Sequence, residues 1–455
     1  MNYISTRGKV ANISFKDAVM MGMAEDGGLL VPSSFPQIDL ASLKGKNYAD
    51  TAFEIIQCFA DDIPADDLKE IIDRSYATFS DPKTVPLVKI KECYLLELFH
   101  GPTFAFKDVA LQLLGNLFEY IMKERGEKLN IIAATSGDTG TAAIHGVRGK
   151  DNITITVLYP NGRVSPVQEI QMTSVTDDNV HTFAVNGTFD DCQSLVKTFF
   201  SDLEFKRKYN LGAVNSINWA RVMAQIVYYF YAYLQLDTDE RVNMVVPTGN
   251  FGNIFAGYCA KQMGLPIDLV LATNSNDILH RFISGGDYSL QDVKPTYSPS
   301  MDIQIASNFE RYLYFLFGLD TDRVNDVMTE LKEDGKISFY DDEIEEVKEE
   351  FKSFAANNIA IKIAIAGVYK NNNYIIDPHT ACGVEAANVL WLDPEETIVL
   401  ATAHPAKFPE AVSSALGVEP TAPEELQKLQ ELEISRNVID KDIKTVKSAL
   451  EKGFI

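Results

Sequence analysis

Lys107 stands in the stretch His100-Gly101-Pro102-Thr103-Phe104-Ala105-Phe106-Lys107-Asp108, among aromatic and small residues. A lysine in an apolar pocket loses solvation of its charged form, so its pKa falls and its amine becomes a nucleophile. That is the chemistry a Schiff base with a carbonyl cofactor requires. Two further loops have the composition to hold anions. Thr135-Ser136-Gly137-Asp138-Thr139-Gly140 follows an apolar run and precedes a helix-like segment. Such a junction aims free N–H groups at an anion, and Ser136 and Thr139 add hydroxyl donors. The same residues also suit an ordinary strand–helix turn with capping side chains. Gly249-Asn250-Phe251-Gly252-Asn253 lies between a buried-strand pattern, 242–247, and a helix pattern, 254–263. Its glycines permit close backbone approach, and a helix N-terminus favours phosphate. Neither the G-x-x-x-x-G-K-[ST] nor the G-x-G-x-x-G spacing is present. Finally, the apolar run 399–401 ends in Thr402, and strand ends of open α/β sheets are where ligands sit.

The elements needed to position these loops are legible in the hydrophobic pattern. Val109, Leu113, Leu117 and Ile121 fall on one helical face behind Lys107. Strands are expected at 129–134, 153–159, 180–185, 242–247 and 266–273, with helices at 166–175, 188–202 and 219–235. Thr188 is the expected N-cap of its helix, with Asp190 and Asp191 in the first turn. This alternation implies a parallel sheet with helices on both faces. Residues 1–85 read as a separate, mostly helical lead-in, with helices at 15–23, 48–59 and 65–79. The range 86–300 reads as the α/β core. The range 301–395 reads as a helical insertion with helices at 302–317, 322–334 and 341–357, and 396–455 as the part completing the core.

The motifs taken together resemble threonine synthases, a family of fold-type II pyridoxal-phosphate enzymes similar to the tryptophan synthase β chain. The resemblance rests on STRG at 5–8, DGGLLVP at 26–32, HGPTFAFKD at 100–108, SGDTG at 136–140, NSINWAR at 215–221, PTGNFGN at 247–253, DPHTACG at 377–383 and TAHPAKF at 402–408. It implies that Lys107 is the Schiff-base lysine for pyridoxal 5'-phosphate. It implies that Gly249, Asn250, Phe251 and Asn253 hold the cofactor phosphate and that Thr402 lies beside the pyridine nitrogen. Ser136, Asp138 and Thr139 are then expected to grip a substrate carboxylate. Arg163, Ser165, Asn215, Ser216 and Arg221 are the expected contacts of a substrate phosphate. The implied reaction turns O-phospho-L-homoserine and water into L-threonine and phosphate, the last step of threonine biosynthesis.

Composition sets the limits. A chain of 455 residues with 46% hydrophobic and 23% charged residues is an ordinary soluble enzyme of two or three domains. The formal net charge of −23 repels nucleic acid and anionic membranes, so an anionic substrate must meet a local basic pocket. Five scattered cysteines without a C-x-x-C pair give neither a disulfide framework nor a structural metal site. No signal peptide pattern opens the chain, and a reducing cytoplasm is the expected location. Nothing in the pattern fixes an oligomeric state.

Overall fold

Two sheets position the loops described above. A computed structural model of the chain describes residues 1–429, 431–432 and 434–454. The larger sheet runs Phe351–Ala355, Ile267–Thr273, Val242–Pro247, Thr397–Ala401, Tyr94–Glu97, Leu87–Lys89, parallel except for the last, antiparallel pair. The smaller sheet runs Asn437–Asp440, Val180–Asn186, Ile153–Pro160, Leu129–Ala134, Leu211–Gly212, all parallel. The Ile153–Pro160 strand is buried along its whole length, as a parallel strand covered on both faces must be. The three loops singled out above lie at the C-terminal ends of Leu129–Ala134, Val242–Pro247 and Thr397–Ala401.

Helix Lys107–Arg125 buries Val109, Leu113, Leu117 and Ile121 and ends at Gly126, which takes the left-handed conformation (φ 66°) open to glycine. It crosses helix Asp138–Val147 at unusually short range. A Cβ at Gly115 would lie 1.9 Å from the carbonyl oxygen of Gly146, and a Cβ at Gly146 would lie 2.4 Å from that of Leu111. Glycine at both positions lets one backbone rest on the other. Helix Phe189–Ser201 starts with the expected Thr188 cap, completed by Asp191 as a reciprocal capping box.

Residues 1–85 carry helices Phe15–Met21, Tyr48–Ile56 and Ala65–Tyr76, together with an antiparallel ribbon of Tyr3–Ser5 and Leu30–Pro32. They are tied to the rest by charge. Arg7 donates from Nε and Nη2 to the two carboxylate oxygens of Glu310 at 3.1 and 3.0 Å, and Thr6 Oγ1 donates to the same carboxylate at 2.6 Å. Next to it, the fully buried Arg311 donates to Leu30 O, Asn308 Oδ1 and Ile217 O, and it has no carboxylate partner among the described residues.

Three expectations are corrected. The segment 302–317 is helical only at Phe309–Leu316. Asp302 is instead the acceptor for Thr296 N, Thr296 Oγ1, Asn274 Nδ2 and Asn276 Nδ2, which fixes an irregular loop. The segment 341–357 is a helix only to Glu350. Where the charge run stops, Phe351–Ala355 becomes an edge strand parallel to Ile267–Thr273. The range 301–395 is therefore not a purely helical insertion, since it supplies a strand of the larger sheet. Residues 396–455 serve both sheets, with Thr397–Ala401 in the larger and Asn437–Asp440 in the smaller.

Candidate active site

Lys107 is the first residue of its helix, and the chain before it is held against the end of strand Thr397–Ala401. Phe106 N donates to Thr402 O at 2.8 Å and His404 N donates to Phe104 O at 3.0 Å, flanking a bridge between Ala105 and Ala403. This local pairing brings Lys107 and Thr402 to one cavity. The same cavity is lined by Gly249, Asn250, Phe251, Asn253, Asp138, Ser300 and His379.

The 249–253 loop turns unpaired donors toward this cavity. Phe251 adopts φ 64°, a left-handed conformation that a phenylalanine takes only at a cost of ~1–3 kcal/mol unless the surroundings fix it. Here its ring packs against Phe309, Tyr312 and Phe351. The distortion starts helix Gly252–Gln262, whose N-terminus faces the cavity. The N–H groups of Gly249, Asn250, Phe251 and Asn253 have no acceptor among the described residues. Asn253 Oδ1 accepts from Tyr228 OH at 2.5 Å and Tyr229 OH at 2.9 Å, which turns its amide nitrogen outward. That Nδ2 is buried without a partner. Orphan donors at a helix N-terminus fit a phosphate group. Asn308 braces the loop from behind through two bonds to Asn250 O, at 3.0 Å from its backbone and 3.2 Å from its side chain.

Around Lys107 the charges are arranged unsymmetrically. Its Nζ is 3.5 Å from Asp138 Oδ2, and the fully buried Lys407 places its Nζ 2.7 Å from Asp138 Oδ1. Burial lowers the pKa of Lys107; Asp138 opposes this, while the nearby Lys407 and Arg221 cations add to it. Burial alone would raise the Asp138 carboxyl, but Lys407 and Lys107 outweigh it and hold that group well below the usual carboxylate range. Asp108 is pushed up to about 6 by burial, against two bonds of 2.7 Å from Thr103 N and Thr103 Oγ1.

The SGDTG loop turns on Gly137, whose φ of 150° belongs to glycine and whose added Cβ would meet Gln168 Oε1 at 2.3 Å. Thr135 Oγ1 accepts from Gly137 N and Gly140 N, leaving the N–H groups of Asp138 and Thr139 without an acceptor among the described residues. Those amides and the hydroxyls of Ser136 and Thr139 are the groups free to meet a carboxylate. The side chain of Asp138 is engaged by two lysines instead. Arg221 is buried, its pKa pushed down to about 10 by burial; Nη1 donates to Val214 O at 3.2 Å, and Nε has no partner among the described residues. The other expected substrate contacts are not gathered around Lys107. Arg163 and Asn215 are exposed, Ser165 caps helix Pro166–Thr173, and Ser216 Oγ meets Ser307 Oγ at 2.9 Å.

Lys407 and His379 were not singled out from the sequence. His379 Nε2 accepts from Ser300 N at 3.2 Å, which places the ring proton on Nδ1, 2.8 Å from Asp377 Oδ1. One signal could have found Lys407: an aspartate inside a loop expected to bind a carboxylate calls for a cation to neutralise it.

Family models match along almost the entire chain: "Threonine synthase N terminus" over residues 2–76, "Pyridoxal-phosphate dependent enzyme" over 82–402, and "Threonine synthase, C-terminal" over 380–450. The chain belongs to the threonine synthase family. It is 48% identical to the threonine synthase of Schizosaccharomyces pombe, over 91% of this chain and 89% of that one. It is 46% identical to the threonine synthase of Pseudomonas aeruginosa, over 98% and 97%. A pyridoxal-phosphate-bound threonine synthase from Brucella melitensis superposes with a TM-score of 0.97 at 46% identity, covering 100% of this chain and 99% of that one. This member of the family is thus a fold-type II pyridoxal-phosphate enzyme, and the orphan amides at 249–253 beside Lys107 fit that cofactor. No helix among its described residues is long and apolar enough to cross a membrane.

Proposed function

We propose that the protein converts O-phospho-L-homoserine and water into L-threonine and phosphate, with Lys107 as the cofactor-bearing and proton-moving residue. The observation that carries this reading is the shared cavity, where one low-pKa lysine faces a loop of unpaired N–H groups. Gly249, Asn250, Phe251 and Asn253 would hold the cofactor phosphate, with Thr402 at the ring. When bound, pyridoxal phosphate supplies an electron sink for negative charge at the substrate α-carbon. A hydroxyl at Thr402, unlike a carboxylate, does not enforce a protonated ring nitrogen, so more of the work falls on proton placement.

Lys107 meets that demand. Its amine, shifted toward the neutral form by burial and flanking cations, would take the proton from Cα and serve Cβ and Cγ in turn as phosphate leaves from Cγ and water adds at Cβ. Ser136, Thr139 and the free amides of the 138–139 turn orient the substrate carboxylate. Arg221 meets the substrate phosphate, supported by its burial without a carboxylate partner among the described residues. Ser165, Ser216, Asn215 and Arg163 belong to the same phosphate-binding proposal and would have to close toward Arg221. Five free cysteines, four of them buried, agree with the cytoplasm as the place of action.

The test is turnover of phosphohomoserine by the cofactor-loaded protein, with threonine and phosphate both quantified. Equal yields are expected. Phosphate accompanied by 2-oxobutyrate instead of threonine would replace this reading with a phospho-lyase.

A further inference from the structure

Two buried ammonium groups compete for one carboxylate in this site. Lys407 is the better placed. Its Nζ lies 2.7 Å from Asp138 Oδ1 and donates to Thr103 O at 2.7 Å, and its side chain has no exposure to solvent. Lys107 stands farther off, 3.5 Å from Oδ2 of the same group. The remaining bonds to Asp138 are neutral, from Gln168 Nε2 at 2.8 Å and Ser300 Oγ at 3.4 Å. A carboxylate satisfied on its near side by a fixed ammonium exerts less pull on the second amine.

We propose that Lys407 is a positioning residue that claims the Asp138 carboxylate, so that Asp138 holds the Lys107 amine less tightly and leaves it readier to bond a carbonyl carbon. The proposal rests on the reading of Lys107 as the cofactor-bearing lysine. Lys407 does not touch the cavity itself. It acts through Asp138, and through the Thr103 carbonyl it also anchors the loop that delivers Lys107.

The other groups facing Lys107 do not replace it. Asp108, the next residue on the same helix, is turned back onto Thr103. His379, from helix Pro378–Val389, has its ring occupied by Asp377 and Ser300 N. Arg221, from helix Trp219–Leu236, is a cation that disfavours charge on Lys107 but makes no contact with Asp138. Without Lys407, the only ammonium beside Asp138 among the described residues is Lys107. The pair would then behave as an ordinary buried salt bridge, with the lysine protonated and unreactive.

The experiment follows the reactivity of Lys107 in cofactor-free protein. Reductive methylation with formaldehyde and cyanoborohydride is run from pH 6 to pH 10, and the rate at Lys107 is read by peptide mass mapping. In Lys407→Met the pH midpoint is expected to rise by about one unit or more, and in Lys407→Arg to return toward the parent. A folded Lys407→Met with the parent midpoint overturns the proposal. Should that variant not fold, Asp138→Asn decides. Removing the carboxylate while leaving Lys407 must lower the midpoint, and an unchanged midpoint means Asp138 never governed the charge of Lys107. Borohydride trapping of the loaded parent protein tests the underlying reading separately. A pyridoxyl group on another lysine removes Lys107 from its role, whatever the midpoints show.

Discussion

The contact of helix Lys107–Arg125 with helix Asp138–Val147 makes Gly115→Ala a sharp test of how packing sets the catalytic distance. Gly115 and Gly146 each lie eight residues beyond the group their helix delivers, Lys107 and Asp138 respectively. At 1.5 Å per residue, the crossing point is ~12 Å from the site. A methyl group at Gly115 starts 1.9 Å from a backbone oxygen, so the helices must part by about 1.5 Å to restore van der Waals contact. No side chain can swing away, because the obstacle is Gly146 O. Such overpacking costs ~1–3 kcal/mol, offset by ~1 kcal/mol of helix propensity gained on replacing glycine. A net loss of about 0–2 kcal/mol leaves the protein folded. If the helices part as rigid rods, however, Lys107 moves about 1.5 Å from the 138–139 turn whose free amides would orient the substrate. Misplacement of about 1 Å costs ~100-fold in rate. Steady-state threonine formation, run beside calorimetric melting, should show a small drop in Tm and a loss of kcat far out of proportion to it. Gly367→Ala is the control, since it is a helical glycine with open space around its Cβ, and it should be stabilised and fully active. Parent kcat and parent Tm in Gly115→Ala would refute the claim that this crossing sets the site.

Two further outcomes are expected. Arg221→Met should raise KM for phosphohomoserine by roughly 10–100-fold, by removing a charged partner, yet leave Tm level or higher, because it also removes an unpaired buried cation. A fall in Tm with unchanged KM would make Arg221 purely structural. The pKa values of His145 and His404 are both pushed down to about 4, chiefly by burial. Between pH 6.5 and 4 the unfolded chain therefore binds protons that the folded protein refuses, and stability falls as the pH drops through that window. His145→Gln should lessen the shift of the urea midpoint between pH 7 and pH 5, and an undiminished shift would sink the assignment.

The sequence alone revealed those parts of the protein in which neighbouring residues determine the outcome. Strands 129–134 and 242–247 were read to the residue, since both are apolar runs bounded by turn residues. The capping box at Thr188 is likewise written within four positions. The misreadings have a common physical origin. Phe351–Ala355 is a strand because Ile267–Thr273 offers it a free edge more than seventy positions away, and nothing in FKSFA opposes continuing the preceding helix. Asp302 leaves the helical pattern because Asn274, Asn276 and Thr296 converge on its carboxylate. Lys107, Asp138 and Lys407 meet only after both sheets have formed. The family resemblance named the lysine and the phosphate loop, but not the second lysine that shares its aspartate.

Arg311 bears on what can be cut from this enzyme and what cannot. Its guanidinium is shared among three carriers: the N-terminal ribbon through Leu30, the 215–221 stretch through Ile217, and the brace of the phosphate loop through Asn308. A gene shortened at its 5' end would not yield a smaller catalyst. It would leave a permanent cation facing an apolar hollow, and the loss would travel through Asn308 to Asn250, where no residue of the deleted part had ever stood. The first eighty residues act on the 249–253 loop from outside the cavity, through the Leu30 carbonyl, Arg311 and Asn308, and minimised or domain-swapped versions of this scaffold must carry a substitute for that carbonyl.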